Sequence, residues 1–350
     1  MSSDESLVAS VREIHIFLLP LELLHSGDEG QHCLDVLIDL IPRLAGLKRL
    51  IYQVELSFDM STLSPEESAW DHRSGILPLL LHTLPQYHPN CRLDISLPYR
   101  LDLMSILALL AHSPCLKSLI INVHDQQMLA FKSLLRVVST CPNLRRLSIL
   151  SRTSFDPAYT THELRSQRNC PLQLETLEVD GPLVLLKKDL DHPSADFVDW
   201  STLRELTLIN PLNITVLTYK HINLRILRIR LDTVPGFSNV EEVRPLLRSL
   251  LANQRLEILE AGGSSAVPHA ITPEMLEPLG TTLRCLKIHG NEDVAGLCKR
   301  FVYSLADLEH LGETLNDLHT FGLDINFDGQ WVCNPPAQTR SFFAILKLGV

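Results

Sequence analysis

Cysteine and histidine side chains can bind metals or act as nucleophiles and acid–base groups, but in this chain they lack the spacing that such chemistry requires. The eight cysteines form no Cys-x-x-Cys pair, so the ligand spacing of a zinc site is missing. His162 and Glu163 begin the His-Glu-x-x-His pattern of zinc peptidases but lack its second histidine. We therefore predict no catalytic residue, no metal site and no cofactor.

Glycine-rich phosphate loops and hydrolase nucleophile motifs are also missing from the sequence. The segment Gly262-Gly263-Ser264-Ser265 is predicted to be a flexible turn, because no helix start follows it. An enzyme stays open as an alternative, since functional residues favour loops. Its site would lie in the loops at the strand ends, over residues 153–173, 209–222 and 290–313.

Composition and charge limit the class of protein. The chain has 31 Lys and Arg against 41 Asp and Glu, a formal charge of −10, so its bulk charge is not that of a nucleic-acid-binding protein. The apolar stretches Leu101–Ala111 and Ile76–Leu84 are shorter than the ~20 residues that span a bilayer. Asp4 and Glu5 stand where a secretory signal carries positive charge. We expect no membrane association, and a cytoplasmic or nuclear location.

The elements that organise this chain are repeats. Leucine makes up 69 of 350 residues, and much of it falls in a recurring pattern, Leu-x-x-Leu-x-(Leu/Ile/Val). From Leu116 onward the intervals between copies are 28, 30, 29, 21, 32, 27 and 35 residues. The pattern has ten copies, of which the first two are degenerate, and alternating apolar residues follow the first residue of each copy. These first residues are Leu47, Asn90, Leu116, Leu144, Leu174, Leu203, Leu224, Leu256, Leu283 and Leu318.

Each repeat is predicted to contain one strand and one helix. The last two apolar positions alternate as in a half-buried strand, and apolar residues at three- and four-residue spacing follow in segments such as Asp102–Ser113 and Val240–Asn253. Stacked units bury their apolar faces against one another. We predict an α/β solenoid, a curved horseshoe with a parallel sheet on its concave face and helices on its convex face. It forms one domain over residues 1–350: a cap or first repeat at 1–45, irregular repeats at 46–325, and a loop and tail at 326–350.

The repeats resemble leucine-rich repeats, most clearly over residues 114–290. Their irregular intervals and Cys-Pro corners are similar to the repeat portion of fungal F-box proteins, in which the F-box binds the Skp-type adaptor of a cullin ubiquitin ligase and the repeats select the substrate. Leu19–Leu24 resembles the opening of an F-box, but no Trp-containing second half follows. The interpretation favoured for this region is an early repeat strand at Val11–Ile16 with a loop after it. A degenerate family member without a retained partner is a further alternative.

The outward positions of the predicted strands form the candidate binding surface, because rigid repeats present an extended face to macromolecules. Its charge is banded, basic, then acidic over residues 176–205, then basic at 228–230, whereas a nucleic-acid groove needs a continuous basic stripe. Such bands suit a protein partner with complementary patches. The function predicted is thus a non-enzymatic protein–protein interaction scaffold. The candidate residues are Arg146, Glu178, Asp180, Glu205, Arg228, Arg230, Lys287 and His289.

Overall fold

A computed structural model gives the protein an α/β fold divided into two compact units. Unit 1 comprises Met1–Leu174 and Lys188–Asp199, and unit 2 comprises Glu175–Lys187 and Trp200–Val350. The predicted single domain stays a prediction. The residues that the structure describes are 10–18, 36–54, 76–97, 108–123, 138, 140–151, 172–180, 198–209, 223–231, 244, 247–248, 251–252, 255–263, 270–290, 303–325 and 342–347.

Unit 1 contains a parallel sheet whose strands follow one another in sequence order. Each strand pairs with the next one along the chain, Leu50 with Leu93 and Leu119 with Leu147 for example. This order is the one expected when each repeat adds a strand beside the previous one. The five strands are β1 (Glu13–Leu18), β2 (Arg49–Val54), β3 (Arg92–Leu97), β4 (Leu116–Val123) and β5 (Arg146–Ser151).

Unit 2 continues the same organisation within itself. Its first six strands pair in parallel and in sequence order, and the seventh pairs antiparallel with the sixth. The last strand lies in the C-terminal segment, where the sequence predicted only a loop and a tail. The strands are β6 (Thr176–Asp180), β7 (Glu205–Ile209), β8 (Ile226–Leu231), β9 (Ile258–Gly263), β10 (Cys285–Gly290), β11 (Thr320–Ile325) and β12 (Phe342–Lys347).

The repeated leucines build the core of each unit, as the pattern predicted. In unit 2 the middle leucine of every copy from β6 to β10 lies in register with that of the next strand. Burying one such side chain contributes about 1.5–3 kcal/mol. The members of this row are at most 1% exposed: Leu177, Leu206, Leu227, Leu259 and Leu286.

The corner that leads into each strand is repeated as well. The backbone N–H groups of Arg225 and Ile226 both donate to the carbonyl of Arg204, and those of Glu257 and Ile258 both donate to the carbonyl of Arg225. The same doubled hydrogen bond recurs into β2, β7, β10 and β11. The corners therefore share one pattern of backbone hydrogen bonds, and this pattern keeps each strand in the same register with the next.

Short helices connect some of the strands. They are α1 (Ile76–Tyr87), α2 (Pro273–Leu276) and α3 (Leu305–Thr314), with 3₁₀ turns at Ile41–Arg43 and Glu277–Leu279. The helices expected over Asp102–Ser113 and Val240–Asn253 lie partly outside the described residues, but residues 108–110, 244, 247, 248, 251 and 252 are helical. Within the part of the chain that the structure describes, no helix is long and apolar enough to cross a membrane.

One local prediction is wrong. Gly262 and Gly263, predicted to start a flexible turn, are the last two residues of β9. Gly262 pairs in register with the strands on both sides, and this cross-strand pairing outweighs the weak local preference of glycine for a strand. Gly263 has φ 103°, which L side chains rarely adopt, so glycine is required there to end the strand.

Candidate functional site

The outward face of each sheet is the side opposite the leucine rows, and in unit 2 it is organised by cross-strand register. Five residues, one from each of five consecutive strands, align there in one row. Its last three members, on β8, β9 and β10, are alternately positive and negative. We call this row the middle row. It consists of Glu178, Thr207, Arg228, Glu260 and Lys287, all half-buried.

Glu260 is the centre of the middle row. It accepts a hydrogen bond from Arg228 Nε through Oε2 at 2.8 Å and another from Lys287 Nζ through Oε1 at 2.6 Å. Burial alone would raise the pKa of Glu260, but these two hydrogen bonds outweigh it and lower the pKa below its ordinary value. Arg228 also approaches Glu205, with Nη1 3.9 Å from Oε2. One carboxylate therefore holds two cationic side chains of neighbouring strands in place.

A second outward row lies two residues further along the strands. Arg230 of β8, Gly262 of β9 and His289 of β10 are in register with one another, and we call these three residues the Gly262 row. Asp180 of β6 lies at the same level, beside Ile209. Parallel strands are about 4.8 Å apart, so Arg230 and His289 lie on either side of Gly262, which has no side chain.

Unit 1 carries a different charge cluster on its outward face. Asp94 of β3 accepts hydrogen bonds from Arg49 Nε at 2.7 Å and from Arg92 Nε at 2.8 Å. Glu13 approaches the same Arg49 from β1, with Oε1 3.3 Å from Nη1. The side chain of Asp94 is only 10% exposed, and its two positive partners neutralise it. Two further outward positions of this unit, Ser118 and Ser148, are buried.

The predicted site residues fall on outward positions, as the alternation indicated. Arg146, the only one in unit 1, is exposed on β5 in register with Ser118. The structure brings Glu205, Arg228 and Lys287 into one network, in which Arg228 approaches Glu205 and shares Glu260 with Lys287. The remaining predicted residues lie on the same face of unit 2: Glu178, Asp180, Arg230 and His289.

Glu260 and Asp94 were predicted to lie on outward strand positions but were not among the candidate residues, and Gly262 was assigned to a turn. The signal for Glu260 was present, because it occupies in its repeat the position that Arg228 and Lys287 occupy in theirs. Finding it requires aligning the copies by strand register instead of counting charges along the chain. Gly262 was not recognised as a strand residue because the segment that begins with it was predicted to be a turn.

Metal and thiol chemistry find no support among the residues that the structure covers. No group of three or more His, Cys, Asp or Glu there is placed to hold a metal ion. Cys91, Cys115 and Cys141 are buried and are not in disulfides, and burial raises the pKa of the Cys91 thiol to about 12. Cys115 and Cys141 each lie beside a proline at a corner that leads into a strand, and the similar position Cys170 lies outside the described residues.

Several predicted segments cannot be compared with the fold. The F-box-like segment Leu19–Leu24 and most of the loops at 153–173 and 209–222 lie outside the described residues. The same holds for the first half of the loop predicted at 290–313, whereas its residues 305–313 are helical and belong to α3. The strand predicted at Val11–Ile16 overlaps β1. The enzyme alternative, which depends on those loops, stays a prediction. No protein-family model matches the chain, and no curated protein matches it as a relative.

Proposed function

We propose that this chain is a leucine-rich-repeat solenoid that acts as a non-enzymatic scaffold for protein–protein interaction. The observation that carries the proposal is the contrast between the two sides of the strands in unit 2. One side is a row of buried leucines, and the other presents aligned, hydrogen-bonded charges from consecutive strands. Side chains held in register on a rigid sheet suit recognition of another macromolecule.

A protein partner fits this face better than a nucleic acid does. The outward charges of β6 and β7 are acidic, at Glu178, Asp180 and Glu205, and those of β8 and β10 include Arg228 and Lys287. A phosphate backbone would be repelled by the acidic half, because nucleic-acid affinity depends on neutralising many phosphates. A partner with a basic and an acidic patch side by side would be held in one register.

The resemblance to fungal F-box proteins suggests the particular assembly. We propose that the repeats are the substrate-recognition part of an SCF-type ubiquitin ligase, with a Skp-type adaptor and a cullin as further partners. The four cysteines that the structure describes form no disulfide, which supports a reducing compartment and is consistent with the cytoplasm or the nucleus.

Affinity capture of the full chain, followed by mass spectrometry, tests both levels of the proposal. We expect proteins to be captured reproducibly, with adaptor and cullin among them. The variant Glu178→Lys/Asp180→Lys changes the charge of the acidic half, and we expect it to lose captured proteins.

The matched control is Glu309→Lys/Glu313→Lys, which makes the same charge change at exposed positions of α3. Loss of the same proteins with the control would contradict the proposed face. Capture without adaptor or cullin would reject the ligase role and leave the scaffold role standing.

A further inference from the structure

The corners that lead into the strands of unit 1 carry a series of positively charged residues. The backbone carbonyls of Arg12, Lys48 and Lys117 each accept a hydrogen bond from an N–H group at the next corner, and Arg145, the donor to Lys117 at 2.9 Å, continues the series. We call these four residues the corner column. The corresponding residue before β3 is Cys91, whose thiol stays neutral because burial raises its pKa to about 12.

Unit 2 differs at the equivalent positions, because its corner residues include both signs of charge. They are Glu175, Arg204, Arg225, Glu257 and Arg284. Arg225 Nη2 lies 2.6 Å from Glu257 Oε1, so two of these corners form an ion pair with each other. The described corners of unit 1 have no acidic residue at this position that could do the same.

Lys117 lies on a β-bulge. Asp94 of β3 pairs with Ser118 of β4, whereas the residue before Asp94 pairs with Leu116, so Lys117 is an extra residue that β3 does not match. Bulges often re-aim a side chain. Arg146 of β5 is in register with Ser118, so the Cα atoms of Lys117 and Arg146 lie roughly 6 Å apart. Two positively charged residues are thus neighbours on adjacent strands.

The electrostatic field at Lys117 is positive. Burial lowers the pKa of Lys117, and the positive charges of Arg145 and Arg92 lower it further, while the Cys115 thiol has the opposite effect. Among the described residues, no carboxylate contributes to this shift. A lysine whose pKa two arginines lower lies in a field that attracts an anion.

The acidic residues on the same face of unit 1 do not neutralise this field. Glu13 and Asp94 are held by Arg49 and Arg92, so these four side chains together carry no net charge. Three further cations, within the part of the chain that the structure describes, have neither a side-chain hydrogen bond nor an ion pair. They are Lys48, Lys117 and Arg146.

Elsewhere in the structure, carboxylates satisfy cations that are placed in this way. Asp94 accepts hydrogen bonds from cations of β2 and β3, and Glu260 accepts them from cations of β8 and β10. In both cases one carboxylate connects cationic side chains of different strands. Lys117 and Arg146 also lie on different strands but have no such carboxylate among the described residues, so an acidic side chain of another molecule would complete the arrangement.

We propose that the corner column and Arg146 bind a segment of the protein partner that is rich in aspartate and glutamate. The inference rests on the proposed scaffold function and specifies the chemistry of the partner that unit 1 recognises. From β1 to β5 the column extends over about 19 Å, the length of roughly six extended residues. A short acidic segment can therefore contact all of it.

A nucleic acid fits the corner column less well. Cys91 interrupts the column, and Glu13 and Asp94 lie beside it, whereas nucleic-acid affinity depends on neutralising many phosphates. A nucleic acid that extends beyond the column also meets a chain whose formal charge is −10.

Fluorescence anisotropy with three labelled probes tests this inference on the full chain. The probes are a Glu-rich peptide on a Gly/Ser framework, the same peptide with Gln at every Glu position, and an oligothymidylate of similar length. At low ionic strength we expect the Glu peptide to bind, and the Gln peptide and the oligothymidylate to bind at least about tenfold more weakly.

Two double variants locate the binding. Lys117→Gln/Arg146→Gln should weaken binding of the Glu peptide about tenfold, whereas Arg248→Gln/Arg284→Gln, which removes the same charge from exposed positions of unit 2, should leave it unchanged. Lys48→Gln, further along the column, should weaken it about threefold. Because Lys117→Gln relieves repulsion between like charges, it should not lower the thermal midpoint, so lost binding would not reflect lost folding.

Acetylation of lysine amines by an N-hydroxysuccinimide ester, read by peptide mass spectrometry, gives a second measure of the site. The Glu peptide should slow acetylation of Lys117 at least about threefold, because a bound carboxylate stabilises its charged form. Lys287, which is already hydrogen-bonded to Glu260, is the internal control and should react at an unchanged rate.

Equal binding of the Glu and Gln peptides, binding of the oligothymidylate as tight as that of the Glu peptide, or equal effects of the two double variants would overturn the inference. The scaffold proposal fails separately. If partner capture depends on the acidic half of unit 2 while the Glu peptide does not bind, only the inference about unit 1 is wrong. If the Glu peptide binds at the corner column but no protein is captured, the scaffold proposal is wrong.

Discussion

Asp94 and Glu260 occupy the same position in their repeats, directly after the buried middle leucine, and each is held by two cationic side chains. They differ in burial, since the side chain of Asp94 is 10% exposed and that of Glu260 is 29% exposed. A carboxylate that water reaches is partly screened, whereas a buried one leaves its partners unsatisfied when it is removed. The two residues should therefore respond differently to substitution.

Asp94→Ala should lower the free energy of unfolding by about 1–3 kcal/mol, because Arg49 and Arg92 would each lose a hydrogen-bonded partner. Urea denaturation measures this change. The matched control is Glu13→Ala, which removes a carboxylate that is 40% exposed from the same cluster, and it should cost less than about 1 kcal/mol. Equal effects of the two substitutions would show that burial does not set the strength of this cluster.

Glu260→Gln should change the dependence of stability on pH. Because the folded state lowers the pKa of Glu260 from its ordinary 4.5, the ionised carboxylate stabilises the fold above that pH, and the stabilisation is lost as the pH falls through the lowered pKa. The thermal midpoint of the unsubstituted protein should exceed that of the variant at pH 7. The difference should shrink below pH 4.5.

The control for this titration is Glu257→Gln, which removes a carboxylate paired with Arg225 at a corner and outside the middle row. A constant difference between the unsubstituted protein and Glu260→Gln from pH 7 to pH 3 would contradict the assignment.

At the scale of the element, each strand is specified by its buried row and by its corner. Arg145 Nη1 donates to the carbonyl of Gln173 at 2.9 Å, and Arg204 Nη1 donates to the carbonyl of Asn223 at 3.2 Å. In both cases an arginine directly after the first leucine of a repeat bonds the residue directly before the first leucine of the next repeat. From the sequence alone this arginine would be taken for an exposed surface charge, but in the structure its side chain connects two neighbouring corners.

Arg204→Ala should lower the free energy of unfolding by about 0.5–1.5 kcal/mol, the net contribution of one such hydrogen bond. Chemical denaturation checks the value. Arg204→Lys tests the geometry: lysine keeps the charge but not the planar donor group, so it should recover only part of the loss. Full recovery with lysine would mean that charge alone matters at this corner.

Leu206→Ala should lower the free energy of unfolding by about 2–5 kcal/mol, because it opens a cavity in the buried row of β7. The neighbouring Thr207→Ala, on the outward side of the same strand, should change it by less than about 1 kcal/mol. Denaturation of both variants measures the difference between the two sides. A similar cost for both would contradict the assignment of inward and outward faces.

At the scale of the whole molecule, the described cysteines report on the packing of each unit. Cys91 and Cys115 are buried in unit 1, where burial raises the pKa of both thiols, while Cys285 is half-buried on the outward side of β10 in unit 2. Only thiolates react readily with alkylating reagents. Reaction of the buried thiols thus requires unfolding of the unit that holds them.

Iodoacetamide at pH 8 should label Cys91 and Cys115 at least about 100-fold more slowly in the folded protein than in denaturant. Cys285 should be labelled faster than either in the folded protein. Peptide mass spectrometry resolves the individual sites, and the denatured sample is the internal control. Rapid labelling of Cys91 without denaturant would mean that the corner before β3 opens locally.

Much of this architecture follows from the amino-acid pattern. The spacing Leu-x-x-Leu-x-(Leu/Ile/Val) predicted ten of the twelve described strands and, for β2 to β10, the side that is buried. The strand predicted at Val11–Ile16 overlaps β1. The pattern was sufficient for these strands because the alternation of apolar and polar residues within a few positions determines both the strand and its buried side. It failed at Gly262 and at β12, where pairing with neighbouring strands decided the conformation.

The sequence by itself determined the parallel repeats, the leucine core and the outward positions, because each depends on residues a few positions apart in one repeat. Only the tertiary structure decided which outward residues meet. Arg228, Glu260 and Lys287 are separated by 32 and 27 residues along the chain, and irregular repeat lengths hide their alignment. Strand register brings them together, and the same register places Gly262 between Arg230 and His289.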